Sequence, residues 1–223
     1  MGNGRAAANT QGEHSMAQGK RRPYFWAAVT LGCAALAAGC DVRWPGAAAF
    51  HGTTYEDTGP APDFALTDHT GREVTLASFR GHPVLLFFGY THCPDICPLT
   101  LARLQRSVRA LGSRGEDVRV LLVTNDPARD TPPVLKAYVA RFGPQVVGLT
   151  GDSASVARAM AGYGAYTLPS GAGAHGDHAP KTPAIPHSAV VYGIDRQGRL
   201  QVVMSEGTKQ EWLDDDVKAL ARL

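Results

Sequence analysis

The stretch that decides the fold of this 223-residue chain is Pro83-Val84-Leu85-Leu86-Phe87-Phe88-Gly89-Tyr90-Thr91-His92-Cys93-Pro94-Asp95-Ile96-Cys97-Pro98. Its first half is a continuous apolar run, which is typical of a strand buried on both faces of a sheet. Apolar residues at helical spacing follow from Leu99 to Leu111 and predict a helix. The two cysteines therefore lie where a central strand is followed by a helix, the position at which α/β sheets carry their chemistry.

Strands and helices alternate on the carboxyl side of this stretch, and a hairpin precedes it. Thr131 is the predicted N-cap of the second helix, because Pro132-Pro133 suits the first helical turn. This order predicts an α/β fold with a mixed central sheet flanked by helices and an extra N-terminal hairpin, as in thioredoxin-like folds. The predicted elements are the hairpin Phe64–Thr67 and Glu73–Leu76, the strands 118–123 and 146–149, the helices 131–142 and 152–163, the hairpin 188–194 and 200–204, and a helix over 209–223.

The N-terminal 40 residues have the features of an export signal. Lys20-Arg21-Arg22 precedes an apolar run, which ends at Leu36-Ala37-Ala38-Gly39-Cys40. This ending resembles the lipobox of bacterial lipoproteins, and the resemblance implies cleavage before Cys40 and acylation of its thiol, which would anchor the protein to a membrane. Asp41 resembles an inner-membrane retention signal, so the predicted location is the inner membrane of a bacterial envelope, facing the periplasm. Residues 1–40 are thus a predicted lipoprotein signal peptide, for which Met16 is an alternative start. The alternative interpretations are an uncleaved signal anchor and a plain signal peptide.

The remainder is predicted to be a flexible tether over 41–61, rich in Gly, Ala, Pro and Thr, and one domain over 62–223. Of the 22 basic and 20 acidic residues in the chain, four basic and one acidic precede Cys40, which leaves 18 and 19 in the body. A body with a net charge near zero offers no electrostatic basis for binding nucleic acid, so no such partner is expected.

Cys93 and Cys97 are four residues apart, which places their Cβ atoms roughly 5–6 Å apart on one helical face. Two thiolates at this separation suit a soft metal ion, and a helix N-terminus is expected to lower a thiol pKa. A structural zinc site would need four protein ligands, whereas the body has only two cysteines, and two thiolates with one imidazole suit copper. A disulfide that closes this short loop is the alternative, although it would remove little chain entropy.

His187 is the best-placed third ligand, because it lies just before a predicted strand in a loop that faces the start of the first helix. His175 and His178 lie in a Gly-rich insert, either as solvated residues or as an auxiliary arm that captures metal. The other histidines of the body are expected to be surface residues, with His92 as a possible supporting group near the metal: His51, His69, His82 and His92.

Three motifs together resemble the Sco/SenC family of copper proteins: the decapeptide Gly89–Pro98, the segment Asp126-Pro127-Ala128-Arg129-Asp130-Thr131-Pro132, and His187-Ser188. The similarity runs from about residue 60 to the C-terminus. It implies a thioredoxin-like fold and one copper, Cu(I) or Cu(II), bound by Cys93, Cys97 and His187. It also implies that Asp126 lies near the metal and influences its binding, whereas Arg129 and Asp130 are expected to be helix-entry and surface charges.

The resemblance implies a metallochaperone that assists assembly of the binuclear copper site of cytochrome c oxidase. Its expected partner is the copper-bearing subunit of the oxidase or another copper carrier. A thiol–disulfide reductase that keeps the oxidase cysteines reduced is the alternative, and it would need only Cys93 and Cys97 as a redox pair. A copper-responsive redox sensor is the third hypothesis.

Overall fold

A mixed sheet of seven strands forms the centre of the computed structural model, which describes residues 49–54, 59–165 and 190–223. In chain order the strands are β1 (Ala65–Asp68), β2 (Glu73–Thr75), β3 (Val84–Gly89), β4 (Arg119–Thr124), β5 (Val146–Thr150), β6 (Val190–Ile194) and β7 (Leu200–Ser205). Across the sheet the order is β2-β1-β5-β4-β3-β6-β7, in which β3, β4 and β5 are parallel and the other neighbours antiparallel. The predicted fold, including its N-terminal hairpin β1–β2, is confirmed.

The helices in the described residues are α1 (Ile96–Ala110), α2 (Pro132–Val139), α3 (Ser153–Gly162) and α4 (Gln210–Leu220), with short 3₁₀ segments at Leu76–Phe79 and Gly112–Asp117. Thr131 is the N-cap of α2, as predicted. Helix α1 begins three residues before the predicted start at Leu99, because Pro98 is tolerated in a first turn whose N–H groups have no helical partner. Every helix in the described ranges is too short or too polar to cross a bilayer.

The side chains of β3 alternate between two apolar cores, one on each face of the sheet. Leu85 and Phe87 pack in the core that contains α1, α2 and α4. Leu86 and Phe88 pack in the core that contains α3 and the N-terminal hairpin. Right-handed crossovers explain why α1 and α2 share a face: both connect parallel strands that step in the same direction across the sheet, from β3 to β4 and from β4 to β5.

Part of the predicted tether is bonded to the folded unit, which extends from Ala47 to Leu223. Thr53 exchanges two backbone hydrogen bonds with Val203 of β7, at 2.9 and 2.8 Å. The N–H groups of His51 and Gly52 donate to the carboxylate of Asp216 on α4, at 2.6 and 2.9 Å. Because these bonds use backbone groups, the Gly- and Thr-rich composition of the segment gives no sign of them. The predicted signal peptide, including Met16 and Cys40, lies outside the described residues.

Candidate metal centre

The two cysteines lie together at the carboxyl end of β3, as the sequence predicts. Cys93 belongs to the loop after the strand, and Cys97 is the second residue of α1. The backbone N–H of Cys97 points at the Cys93 sulfur, with the nitrogen 3.4 Å from Sγ. Cys93 is 8% exposed and Cys97 is fully buried. Because α1 begins at Ile96, the two cysteines do not share a helical face as predicted: Cys93 in the loop and Cys97 in the first turn form one compact group of two sulfur donors.

Gly89 allows the end of β3 to lie directly against the Cys97 thiol. A Cβ atom at residue 89 would stand 2.9 Å from the sulfur of Cys97 and 2.8 Å from the ring of Phe87, both closer than side chains normally approach. Glycine is needed here for this close approach and not for a turn. The strand and the helix thus hold the second sulfur in one position.

The pKa of the Cys97 thiol is raised, so the expected lowering by the helix N-terminus is wrong for this cysteine. The hydrogen bond with the Cys93 thiol raises the pKa first, burial raises it further, and the nearby Asp130 carboxylate adds repulsion. The backbone N–H of Tyr90 works in the other direction but does not outweigh them. Cys97 is therefore a neutral thiol near pH 7, and a metal ion would have to displace its proton.

Asp130 is fully buried, so the prediction of a surface charge at this position is wrong. Its carboxylate accepts hydrogen bonds from the Thr91 N–H at 3.0 Å, the Thr91 hydroxyl at 2.5 Å and the Thr124 hydroxyl at 2.6 Å. The loop between β4 and α2 thus supports the loop that carries Cys93. Sequence reasoning missed this role, because a charged residue one position before an N-cap is usually solvated.

His92 lies at the surface beside Cys93, as predicted, and its side chain is 47% exposed. Its ring Nδ1 is 3.0 Å from the Thr91 hydroxyl oxygen and 3.6 Å from Oδ1 of Asp130. Among the other predicted surface histidines, the ring of His51 stacks on Trp212 with centroids 5.4 Å apart, and His69 Nδ1 accepts from the Gly148 N–H at 3.1 Å.

Asp126 is largely buried and forms an ion pair with Arg129, whose Nε approaches its carboxylate. Its backbone N–H donates to the Thr124 hydroxyl at 3.0 Å. The loop that contains Asp126 therefore lies at the same end of the sheet as the cysteines, because β3 and β4 are parallel neighbours. The influence of Asp126 on a metal stays a prediction.

His187, His175 and His178 lie outside the described residues. Within the described part of the chain, no three side chains of His, Cys, Asp and Glu come together as a metal site would require. The described residues thus contribute two sulfur donors, and these fit a soft metal such as Cu(I) better than a hard cation. His187 stays the predicted third donor.

Comparison with known proteins shows the family. The SCO1/SenC family profile matches residues 53–222. The mitochondrial SCO2 homolog of Bos taurus is 36% identical over 158 residues, which cover 70% of this chain but 58% of the bovine protein. Copper-bound ScoI of Bradyrhizobium japonicum is 34% identical with a TM-score of 0.61, over 73% of this chain and 99% of that one. Apo Sco1 of Thermus thermophilus is 33% identical with a TM-score of 0.65, over 78% and 98%. The chain thus spans little more than half of the bovine relative. Because the family profile matches most of the length of this chain, the chain belongs to the SCO1/SenC family.

Proposed function

We propose that this protein is a copper metallochaperone that binds one copper ion through Cys93, Cys97 and His187. The observation that carries the proposal is the pair of buried sulfurs at the start of α1, with the backbone nitrogen of Cys97 3.4 Å from the Cys93 sulfur. Thiolates select soft ions, and a site with few protein ligands can bind copper and still pass it to a partner. The Bradyrhizobium japonicum relative is solved with copper bound, which agrees with this choice of metal.

The register of β6 supports His187 as the third ligand. Phe87 pairs with Val191, so the start of the antiparallel strand β6 lies beside the carboxyl end of β3, next to the cysteines. Three peptide units separate Val190 from His187, and covalent geometry limits their Cα separation to about 11 Å. This limit keeps His187 near the edge of the sheet at which the cysteines lie, which supports its choice as the third ligand.

The cellular role of the proposed site is to assist assembly of the binuclear copper site of cytochrome c oxidase. The partner would be the copper-bearing subunit of the oxidase or another copper carrier. Acylation of Cys40 would hold the domain at the inner membrane, facing the periplasm. This anchoring rests on the lipobox at residues 36–40.

A thiol–disulfide reductase is the second candidate, favoured by the short distance between the two cysteines. A small adjustment of the loop at Cys93 would bring the sulfurs to bonding distance. The raised pKa of Cys97 does not count against this candidate, because thiol exchange needs one attacking thiolate and the less buried Cys93 could supply it. The copper-bound relative from Bradyrhizobium japonicum favours the metallochaperone.

Copper titration of the full chain in detergent tests the proposal. We expect a thiolate-to-Cu(II) charge-transfer band in the wild-type chain, and its loss in Cys93→Ser and in His187→Ala. His178→Ala is the matched control, a histidine from the same interval of the chain, and should keep the band. Retention of the band in both ligand variants would contradict the assignment. If His187→Ala loses copper and oxidase assembly but keeps thiol exchange, copper handling is separated from reductase activity.

A further inference from the structure

The hydrogen bonds around His92 determine which of its ring nitrogens carries a proton. The Thr91 hydroxyl has a single hydrogen, which it donates to Oδ1 of Asp130 at 2.5 Å. Its oxygen can then only accept from His92 Nδ1, 3.0 Å away. The second neighbour of Nδ1 is the Asp130 carboxylate at 3.6 Å, which is also an acceptor. Nδ1 therefore carries a hydrogen, and the lone pair of the neutral ring is on Nε2.

This chain of bonds is the arrangement that supports metal-binding histidines in proteins. A carboxylate, directly or through a hydroxyl, holds one ring nitrogen as a donor, which orients the ring and makes the other nitrogen more basic. Here the supporting carboxylate is fully buried and is held in turn by Thr91 and Thr124. A histidine that served only as a solvated surface residue would need no such support.

His92 is exposed to solvent, whereas the two cysteines are buried. Cys93 and Cys97 are 8% and 0% exposed, so copper in solution or on a carrier has little direct access to their sulfurs. The ring of His92, the residue next to Cys93, is 47% exposed. Imidazole suits copper as a ligand, so this exposed ring can bind the ion at the surface before it reaches the buried sulfurs.

We propose that Nε2 of His92 is a transient copper ligand that captures the ion at the surface before it passes to Cys93 and Cys97. This inference rests on the proposed function, since it adds a first step to copper loading at the same site. The step is a ligand exchange in which the copper keeps its oxidation state. His92 leaves the ion when the two sulfurs and the third ligand have bound it.

Stopped-flow mixing of Cu(II) with the reduced full chain in detergent tests the inference through the growth rate of the charge-transfer band. In His92→Ala and in His92→Gln we expect uptake slowed about tenfold or more, since loss of a supporting partner alone changes metal affinity by roughly 10–100-fold. The final amplitude of the band should stay unchanged, because the three final ligands remain. His82→Ala is the control: its ring Nδ1 contacts the Asp117 carbonyl at 2.9 Å, away from the cysteines, and its uptake rate should equal that of the wild type.

A second measurement needs no metal. The ¹⁵N chemical shifts of His92 in the metal-free chain should report the tautomer with hydrogen on Nδ1, and the opposite tautomer would overturn the inference. An intact band with wild-type uptake rates in both His92 variants would overturn it as well, and would leave the proposed function standing. Absence of the band in the wild-type chain would overturn the proposed function and this inference with it.

Discussion

Asp195 and Asp130 are both buried carboxylates, but they obtain their hydrogen bonds from different parts of the molecule. Asp195 opens the turn between β6 and β7 and accepts from the N–H groups of Gln197 and Arg199, both at 2.9 Å. The Arg199 Nε donates to its second oxygen at 2.8 Å. Gln201 Nε2 donates to the same oxygen at 2.7 Å, so all these donors lie within six residues of Asp195. Asp130 instead binds Thr91, which is 39 residues away, and Thr124 on the end of β4.

The turn at Asp195 occurs a second time in the same molecule. Asp68 opens the β1–β2 turn and accepts from the Thr70 and Arg72 N–H groups at 2.8 and 3.0 Å, and from Arg72 Nε at 3.0 Å. Both turns have the sequence pattern Asp-x-x-Gly-Arg, with the glycine at positive φ, 89° for Gly71 and 79° for Gly198. Repetition of the pattern with the same bonds shows that the five residues suffice to specify the turn. The environment of Asp130 has no such local pattern.

The largest expected difference in the free energy of unfolding is between the variants Asp130→Ala and Asp195→Ala. Asp130→Ala leaves one buried and two partly buried donors without their acceptor, and we expect a loss of about 4 kcal/mol in the free energy of unfolding, given about 1.5–3 kcal/mol for each hydrogen bond to a charged group and partial relaxation. Asp195→Ala removes the acceptor of four hydrogen bonds but should cost about 2 kcal/mol, because Gln197 and Arg199 are exposed and water can replace part of their bonds. Urea denaturation of the metal-free chain, followed by circular dichroism, measures both.

The copper charge-transfer band should also distinguish Asp130→Ala from Asp195→Ala. Asp195→Ala should keep the charge-transfer band, whereas Asp130→Ala should weaken or shift it, since the loop at Thr91 positions Cys93. Equal stability losses together with equal spectra would mean that Asp130 contributes no more to the copper site than Asp195 does.

A smaller difference in stability is expected between alanine substitutions at two glycines, Gly89 and Gly71. Gly89→Ala would place a Cβ 2.9 Å from the Cys97 sulfur, and overpacking of this kind costs about 1–3 kcal/mol. Gly71→Ala meets no atom within 4 Å, and its positive φ alone costs about 1 kcal/mol. Denaturation curves measure the stability, and copper spectra should change for Gly89→Ala alone. An unchanged spectrum in Gly89→Ala would show that the position of the Cys97 sulfur does not depend on this contact.

The smallest expected effect is the stability that the β1–β2 turn loses when Asp68 is protonated at low pH. Burial opposes ionisation of Asp68, but the hydrogen bonds from Thr70 and Arg72 outweigh it and lower the pKa to about 2. A lowered pKa in the folded state adds stability above the unfolded pKa of about 4, and this stability is lost as the pH falls from about 4 to about 2. Because the Arg72 side chain is exposed, solvent screening reduces the contribution to about 1 kcal/mol. Asp68→Asn should remove this part of the pH dependence in denaturation at pH 2–5, and a curve identical to that of the wild type would contradict the account.

Several features of this protein follow from short stretches of sequence. The apolar run at 83–90 predicts β3, Thr131 with its prolines predicts the start of α2, and the two Asp-x-x-Gly-Arg turns predict both hairpins. The spacing of Cys93 and Cys97 places two sulfurs beside the start of α1, one in the loop before it and one in its first turn. In each case the atoms that make the stabilising contacts are within about five residues of one another, so local geometry decides the outcome.

Other features depend on residues far apart in the chain. The buried position of Asp130 requires β3 and β4 to be adjacent, because only then do Thr91 and Thr124 meet its carboxylate. The raised pKa of Cys97 depends first on the hydrogen bond with nearby Cys93, but also on burial and on the same Asp130, and the helix start alone reveals neither of the last two. Residues 51–53 join the domain through backbone bonds to β7 and to Asp216. Burial and long-range hydrogen bonds exist only after the sheet has formed, so the tertiary structure decides these properties.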